Sequence, residues 1–506
     1  MAARRFPERP ALLGDWGSLT FAELEARAAR VAAGLHRLGV QPGDRVCYMM
    51  NNAPEVVVAY FAILRAGAVA VAINVMLRPI ELAYLLGDSG AVAVVCEASV
   101  VEAIEKARGE APQLRALVVV DGVPTAGTIA FRALEEGLEA PPEVADRHPD
   151  DIAMIMYTSG TTGVPKGVMM THAWLDFTTF GWICVYKLMG DDRFLVGSPF
   201  FYALGSIMEV LAPFRVGACA VLLDRFRPRL ALDAITRYRP TATVLVPTAA
   251  AQLLDEYDPA RDDVSSMKIF FTGGSPVSPG VKERLRTVFG WEPREIYGLT
   301  EAHMVAVGAR GLPPREGMIG VPGGNLVVRV LDDTGREVSR GEVGEIVCRG
   351  ETVTAGYWQK PKETSESYRE GWFHTGDLGV MDQDGYLKIV DRKKEMIITG
   401  GANIYPAEVE RVLSQHPALA AAALVGLPDA TYGERPCAVA VRRAGAAVTG
   451  DEVIAFCRER LAAYKCPRSV LFVEELPLTA SGKVARRQLK TMLDARPVAT
   501  TERSRT

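Results

Sequence analysis

Apolar segments of strand length alternate with amphipathic helices along the first part of this chain. In the clearest case, Thr20 can cap a helix over residues 21–38, Glu23 completes the capping box, and Gly39 follows the last turn. Further elements are predicted as strands at 45–49, 68–73 and 91–95 and as helices starting at Pro54 and after Pro79. This alternation predicts an α/β fold of parallel sheets covered by helices.

The length of 506 residues is too great for a single hydrophobic core, so several domains are expected. Residues 122–151, rich in Pro, Glu and Gly, are interpreted as a surface connection. A β-rich subdomain is predicted over 320–390, and an α+β pattern follows it. We therefore predict a large N-terminal domain over 1–392, a hinge at 393–394, a small mobile C-terminal domain over 395–494, and a disordered tail over 495–506.

Composition excludes several classes of function. The 57 basic and 61 acidic side chains give a net charge of -4, without the basic surplus of a nucleic-acid binder. The eight cysteines form no C-x-x-C pair, which argues against a zinc site or a secreted disulfide scaffold and favours a reducing cytosol. Residues 56–77 are apolar, but Arg65 and Gly67 interrupt them, so we expect a buried helix and strand and no transmembrane segment. A cytoplasmic protein is expected.

A run of hydroxyls and glycines follows the apolar strand predicted at residues 152–157. Hydroxyls and turned backbone N–H groups donate hydrogen bonds to an anion, and a lysine adds a point charge. The spacing does not match a Walker A loop, and such a composition alone also suits a plain surface turn. The predicted phosphate-binding residues are Thr158, Ser159, Gly160, Thr161, Thr162, Gly163 and Lys166.

Three other motifs accompany this loop: Tyr297-Gly298-Leu299-Thr300-Glu301, the segment 371–379 containing Asp377, and Ser481-Gly482-Lys483 near the C-terminus. With the ordered string 157–167, they resemble the adenylate-forming superfamily of acyl-CoA synthetases, nonribosomal peptide adenylation domains and beetle luciferases. The resemblance covers essentially the whole chain. It implies that the protein consumes ATP to activate a carboxylic acid.

The resemblance assigns roles in ATP binding. It implies that Glu301, with Thr158, holds Mg²⁺ against phosphate oxygens, as a carboxylate and a hydroxyl can do, and that Thr300 contacts the α-phosphate. A carboxylate can accept hydrogen bonds from both ribose hydroxyls, which is the role implied for Asp377, assisted by Arg392. Adenine is expected near Tyr297, Gly298 and the turn formed by Gly274, Ser275 and Pro276.

Other residues are assigned to the second domain by the same resemblance. Lys483 is expected over the reacting carboxylate and α-phosphate, where a cation neutralises developing charge. Lys394 is expected at the hinge on which the small domain turns between two half-reactions. Gly400 and Gly401 suit close passage of the slender pantetheine arm of coenzyme A.

The acid is the least constrained part of the prediction. Relatives that use amino acids hold the α-ammonium with an Asp in the segment matching 199–205, which contains no acid here. Tyr202 stands where relatives often carry His. The predicted acid pocket comprises Trp182, Phe201, Tyr202, Gly273, Gly274, Gly298, Met304 and Val305. A medium- or long-chain fatty acid is expected, and an aryl acid of the cinnamate or benzoate type is the alternative.

The predicted reaction has two steps and uses ATP, coenzyme A and Mg²⁺. The carboxylate attacks the α-phosphate to give an acyl-AMP and pyrophosphate, with Lys166, Thr300, Glu301 and Lys483 as the catalytic residues. The thiol of coenzyme A then displaces AMP. An acyl-AMP ligase that loads a carrier protein, a luciferase-type oxygenase and a non-catalytic nucleotide-binding scaffold remain open, as does a homodimer.

Overall fold

The computed structural model describes residues 2–122, 125–136, 143–158, 164–275, 277–399, 402–429, 433–478 and 484–494. By its internal contacts the chain divides into two units. The first unit comprises Met1–Arg329, Val347–His374 and Asp384–Leu387, and the second comprises Val330–Ile346, Thr375–Gln383 and Lys388–Thr506. The domain boundaries predicted at residues 392 and 394 stay a prediction, as does the mobility of the small domain.

The helices are α1 (Ala2–Arg5), α2 (Phe21–Arg37), α3 (Pro54–Arg65), α4 (Pro79–Ser89), α5 (Val101–Ala107), α6 (Phe131–Glu135), α7 (His172–Tyr186), α8 (Ala212–Arg215), α9 (Pro228–Tyr238), α10 (Pro247–Glu256), α11 (Pro279–Arg284), α12 (Pro361–Ser367), α13 (Pro406–Leu413), α14 (Gly450–Arg458) and α15 (Arg486–Asp494). Short 3₁₀ segments lie at Ala98–Val100, Arg108–Glu110 and Ala463–Lys465, and π-helical segments lie at Leu204–Leu211 and Leu285–Phe289.

The strands are β1 (Pro10–Gly14), β2 (Gly17–Thr20), β3 (Arg45–Met49), β4 (Val69–Ala72), β5 (Ala93–Cys96), β6 (Ala116–Val119), β7 (Ile129–Ala130), β8 (Ile152–Thr158), β9 (Lys166–Thr171), β10 (Arg193–Val196), β11 (Cys219–Leu222), β12 (Ala242–Leu245), β13 (Ile269–Gly273), β14 (Pro293–Tyr297), β15 (Ala306–Val307), β16 (Leu326–Leu331), β17 (Val343–Gly350), β18 (Tyr368–Arg369), β19 (Trp372–Met381), β20 (Leu387–Arg392), β21 (Ile397–Thr399), β22 (Ala402–Ile404), β23 (Leu419–Asp429), β24 (Gly433–Arg442) and β25 (Ser469–Phe472).

Two large sheets form the first unit. One has the strand order β7-β6-β5-β3-β4-β8-β9, and the other has the order β15-β14-β13-β12-β10-β11-β1-β2. Their central pairs are parallel, as the strand–helix alternation predicts, whereas the edge pairs β8–β9, β1–β2 and β14–β15 are antiparallel. The predicted α/β class is therefore confirmed.

Helix α2 shows how local sequence fixes an element. The Thr20 side chain accepts from the backbone of Glu23 and the Glu23 side chain accepts from Thr20 in return, so the predicted capping box is present. The buried face includes Leu24, Val31 and Leu35, and burial of each such side chain is worth about 1.5–3 kcal/mol. The described part of the chain contains no helix whose length and hydropathy would let it span a bilayer.

The segment 122–151 is more ordered than its composition suggests. Its described part contains β7 and α6, and Phe131 and Leu134 of α6 are buried. A Cβ on Gly34 of α2 would lie 2.5 Å from the Cβ of Leu134, so α6 sits directly against α2 at a point where only glycine fits. The predicted surface connection therefore includes a short helix, which two buried side chains anchor to the first unit.

The C-terminal part of the second unit has an α+β fold. Its sheet has the order β22-β21-β24-β23, with β25 parallel to β24. Helices α13 and α14 contribute Val409, Leu413 and Val453 to one hydrophobic cluster, and Leu489 and Leu493 of α15 belong to another. The β-rich region upstream forms a five-stranded sheet with the order β16-β17-β19-β18 and with β20 paired to β19.

Candidate active site

The predicted phosphate loop is a hairpin connection at the edge of the first sheet. Thr158 ends β8, Lys166 begins β9, and the two are partners in the antiparallel ladder. The predicted contacts Ser159, Gly160, Thr161, Thr162 and Gly163 lie outside the described residues. The strands on either side therefore fix where the loop leaves and rejoins the sheet, and Lys166 stands at the point of return.

Glu301 lies in a tight turn that follows β14. The turn is closed by the backbone N–H of Leu299, which donates to the Ala302 carbonyl at 2.8 Å, and by the reverse bond at 3.2 Å. Thr300 and Glu301 form the corner, and Glu301 is only 9% exposed. A buried carboxylate needs hydrogen-bond donors, and the Tyr357 hydroxyl donates to Glu301 Oε1 at 2.9 Å.

Tyr357 links two residues that the sequence assigned to catalysis. Lys166 Nζ lies 4.8 Å from the centroid of the Tyr357 ring, within cation–π range, while the ring's hydroxyl holds Glu301. Burial, reinforced by the Glu301 carboxylate, raises the pKa of the Tyr357 phenol, so the hydroxyl remains a donor. Tyr357 was not predicted as a site residue from the sequence. The one indication in the sequence is that Tyr357 is adjacent to Trp358, and such an aromatic pair is equally typical of a hydrophobic core.

The glycines assigned to the nucleotide and acid pockets differ in the physical reason why glycine is required. A Cβ on Gly273 would lie 2.4 Å from the Ile296 carbonyl oxygen, and one on Gly298 would lie 2.9 Å from the Ala302 carbonyl oxygen. Both glycines thus allow backbone segments to pack closely. Gly274 has φ +82° and is exposed, as is Ser275, whereas Pro276 lies outside the described residues. Tyr297 is buried at the end of β14.

Trp182 belongs to a buried aromatic cluster on α7. Its ring stacks on Tyr186 at 5.3 Å, and its Nε1 donates to His303 Nδ1 at 3.4 Å. Trp174 packs edge-on against the other side of His303 at 5.0 Å. Burial lowers the pKa of His303 to about 4, so the imidazole is neutral and can accept this bond. His303 thereby fixes the Glu301 turn to α7.

Met304 fills the space beside α7. It is fully buried with φ +62°, and a Cβ on Gly181 would lie 2.4 Å from the Met304 Cε atom. Met304 belongs to the same hydrophobic cluster as Trp182 and Phe201. Three of the predicted wall residues therefore belong to the large core cluster of the first unit, and the Met304 thioether packs against Gly181.

The other predicted wall residues have separate surroundings. Val305 is fully buried, whereas Tyr202 is at the boundary of exposure. The Tyr202 ring lies 4.8 Å from that of Phe201, and its hydroxyl accepts a hydrogen bond from Asn74 at 3.2 Å. The Tyr202 hydroxyl therefore has a polar partner in the same unit.

The two residues assigned to the ribose meet in the second unit. Arg392 Nε lies 3.0 Å from Asp377 Oδ1, and the Asp377 side chain is 5% exposed. The Thr375 hydroxyl accepts from the Asp377 backbone N–H at 3.0 Å and donates to the Ile346 carbonyl at 2.7 Å. These bonds fix the backbone that presents the carboxylate.

An ionic cluster involves residues just before and just after the predicted hinge residue Lys394. The Asp391 carboxylate accepts from the Ala407 N–H at 2.8 Å and so caps α13, and burial raises the pKa of Asp391 to about 6. Arg486 Nε lies 2.8 Å from Glu395, and its Nη1 lies 2.7 Å from Glu410. Gly400, Gly401 and Lys483 lie outside the described residues, but Arg486 ties the chain just after Lys483 to the segment just after Lys394.

Comparison with known families covers both parts of the chain. Residues 1–358 match the family model described as AMP-binding enzyme, and residues 408–483 match the AMP-binding enzyme C-terminal domain. The chain is 38% identical to a feruloyl-CoA synthase of an Amycolatopsis species, covering 96% of both chains. It is 36% identical to a long-chain-fatty-acid–CoA ligase of Salmonella typhimurium, covering 97% of this chain and 92% of the relative.

A solved structure gives the same result for the fold. The anthranilate CoA ligase AuaEII in complex with anthranoyl-AMP superimposes with a TM-score of 0.88 at 30% identity, covering 97% of this chain and 96% of the other. The family models match a long N-terminal part and a separate C-terminal part of the chain, and the predicted domain boundaries stay a prediction.

Proposed function

This chain belongs to the AMP-binding enzyme family, and from that premise we propose that it activates an apolar aryl acid and transfers it to coenzyme A. The enzyme class follows from the family: it is an acyl- or aryl-CoA ligase that works through an acyl-AMP. Adenylation itself was predicted from the sequence and is confirmed. The choice of acid and the role of each residue are the proposal.

One observation carries the proposed roles in adenylation: Lys166 lies over the Tyr357 ring, and Glu301 accepts a hydrogen bond from the Tyr357 hydroxyl. Lys166 supplies a positive charge at the stem of the phosphate hairpin, and Glu301 supplies a buried carboxylate within the same unit. Phosphoryl transfer requires little covalent chemistry from a protein, so positioned charges of this kind are what catalysis needs. Tyr357 keeps both side chains oriented before ATP arrives.

The chemistry of the donors fits Mg²⁺. The described residues contain no group of three or more His, Cys, Asp or Glu side chains arranged as a metal cage. Mg²⁺ usually binds through one or two carboxylates together with substrate phosphates, so Glu301 with the Thr158 hydroxyl would hold it. When bound, the ion would neutralise phosphate charge.

In the second unit, Asp377 and Arg392 are proposed to bind the ribose. Asp377 is presented by a backbone that Thr375 holds, and its carboxylate can accept hydrogen bonds from two vicinal hydroxyls. Arg392 is half exposed and pairs with that carboxylate, so it holds the Asp377 side chain in one orientation. Lys394, Gly400, Gly401 and Lys483 keep the roles proposed from the resemblance.

An aryl acid is proposed ahead of the fatty acid expected from the sequence. Met304 packs against Gly181 of α7, and its thioether is proposed to limit the length of the acid. The predicted wall residues are largely aromatic, with Trp182 stacked on Tyr186 and Phe201 packed against Tyr202, and flat rings pack well on such walls. The similarity to a feruloyl-CoA synthase supports this choice, and the similarity to a long-chain ligase keeps fatty acids as the second candidate.

The test is a pyrophosphate-release screen of the purified protein with ATP, Mg²⁺ and three sets of acids: hydroxycinnamates and benzoates, fatty acids of graded length, and small dicarboxylates. We expect the highest kcat/KM with an aryl acid and release of the aryl-CoA, identified by mass spectrometry. A maximum with fatty acids would establish the second candidate. An acyl-AMP that persists beside excess coenzyme A would contradict the proposed acceptor.

Met304→Ala is expected to shift this preference toward longer acids. Removal of the thioether side chain opens the space beside Gly181, so kcat/KM for a medium-chain fatty acid relative to the best aryl acid should rise about tenfold, as a methylene or two in an apolar pocket is worth 1–3 kcal/mol. Met267→Ala is the control, because Met267 is a buried methionine of a different cluster. An unchanged ratio in the Met304 variant would contradict its place in the pocket.

A further inference from the structure

Asp88 is an acid in an unfavourable place. It lies in the last turn of α4, where the helix dipole disfavours negative charge and no basic residue of the helix compensates. Its side chain is only 7% exposed. A carboxylate that is both buried and at a helix C-terminus must be held by donors from elsewhere in the fold.

Those donors come from two other segments and from α4 itself. The Tyr157 hydroxyl donates to Asp88 Oδ2 at 2.8 Å, and Lys360 Nζ lies 2.7 Å from Oδ1. The Tyr84 hydroxyl, one turn earlier on α4, lies 3.2 Å from Oδ1. The indole of Trp358 donates to the Asp88 backbone carbonyl at 3.1 Å. The carboxylate is thus the centre of a satisfied polar network.

This network holds both stems of the phosphate hairpin. Tyr157 directly precedes Thr158, where the loop leaves β8. On the returning side, the Tyr84 hydroxyl lies 3.1 Å from the carbonyl oxygen of Pro165, the residue before Lys166. The single Tyr84 proton can go either to the Asp88 carboxylate or to the Pro165 carbonyl, so Tyr84 contacts both groups but donates to one of them at a time.

The returning strand is packed equally closely. A Cβ on Gly167 would lie 3.3 Å from the Tyr157 ring and 2.8 Å from Ile155 Cγ2. The backbone N–H of Trp358 donates to the Gly167 carbonyl at 2.7 Å. Because the tyrosine that Asp88 holds lies against Gly167, a change in the Tyr157 ring position would displace the strand that begins at Lys166.

We propose that Asp88 is a positioning residue for adenylation, which fixes both stems of the phosphate hairpin and thereby the place of Lys166. The inference rests on the proposed function, because the hairpin matters through ATP. A buried ionic network adds little net stability compared with apolar packing, so its contribution here is geometric. Misplacement of a catalytic group by about 1 Å can cost about 100-fold in rate.

The test compares Asp88→Asn with Asp262→Asn. Asp262 is also a buried carboxylate, paired with Arg229 elsewhere in the first unit, and it has no proposed part in catalysis. Adenylation is followed by pyrophosphate release at varied ATP and acid, and the second half-reaction by thioester formation from supplied acyl-AMP and coenzyme A. Melting temperatures are recorded for both variants.

We expect Asp88→Asn to lower kcat/KM for ATP about 10–100-fold, with KM for the acid and the thioester-forming rate within about twofold of the unaltered enzyme. Asp262→Asn should lower the melting temperature without this selective loss. If Asp88→Asn does not fold, Tyr157→Phe, which leaves the Asp88–Lys360 pair intact, should show the same selectivity.

Equal losses in both half-reactions, or an unchanged ATP dependence in a folded Asp88→Asn or Tyr157→Phe variant, would overturn the positioning role. The failure of the positioning role can be distinguished from the failure of the proposed function. If the unaltered protein forms no acyl-AMP from any acid in the screen, both inferences fall together, whereas normal adenylation in the variants overturns only the role of Asp88.

Discussion

Lys483→Ala is expected to reduce acyl-AMP formation by about 100- to 1,000-fold while sparing thioester formation from supplied acyl-AMP. The reason is that developing charge on the reacting carboxylate and α-phosphate exists only in the first half-reaction, and removal of one oriented electrostatic partner there costs about this much. Pyrophosphate release measures the first step. Mass spectrometry of the acyl-CoA formed from synthetic acyl-AMP measures the second.

The matched control for this variant is Lys490→Ala. Lys490 lies seven residues further on, in α15, and its ammonium is 3.8 Å from Glu434 on a half-exposed surface. It shares the charge and the neighbourhood in sequence but has no proposed contact with substrate. Similar losses in both half-reactions for Lys483→Ala, or a comparable loss for Lys490→Ala, would contradict the proposed division of work.

Glu301→Gln is expected to have the other large effect. An amide keeps the shape of the side chain but removes the negative charge that would hold Mg²⁺, so adenylation should fall by at least about 100-fold, and the Mg²⁺ concentration for half-maximal rate should rise. Tyr357→Phe, which removes only the hydroxyl that orients Glu301, should lower the rate less, by about tenfold. A Mg²⁺ titration of pyrophosphate release measures both.

Glu97→Gln serves as the control for the loss of a carboxylate. Glu97 accepts hydrogen bonds from the backbone and side chain of Asn51 in the same unit and has no proposed role in the reaction. We expect its variant to keep the Mg²⁺ dependence of the unaltered enzyme. If Glu301→Gln also kept that dependence and lost less than threefold in rate, Glu301 would not be the metal ligand.

The sequence predicted those features whose causes lie within a few residues. The capping box at Thr20 and Glu23, the strands before and after Pro54, and the strand that leads into the phosphate loop are all local, and the structure contains them. The enzyme class was also predictable, because ordered motifs identified the family. The resemblance assigned Asp377 and Arg392 to the ribose, and the structure places the two side chains 3.0 Å apart, while their role in binding stays a prediction.

Other features depend on contacts between distant segments and left no local signal. Tyr357 and Glu301 are 56 residues apart, and Lys360 and Asp88 are 272 residues apart. Read singly, Asp88 is an acid near a helix end and Tyr357 is one aromatic among many, so neither suggests a function. Only the fold shows that both bear on the phosphate hairpin. The packing of α6 was not predicted for a similar reason, because it depends on the space that Gly34 leaves on α2 for Leu134.

The segment that carries Tyr357 also closes a sheet edge. Strand β9 is the last strand of its sheet, and an open edge of this kind offers unpaired N–H and C=O groups to other chains. Here the backbone of Met169 and Gly167 is paired with residues 355–358 through three hydrogen bonds. Protection against intermolecular strand pairing and orientation of Glu301 therefore depend on one stretch of backbone, and a lesion that loosens it would promote aggregation as well as impair the chemistry.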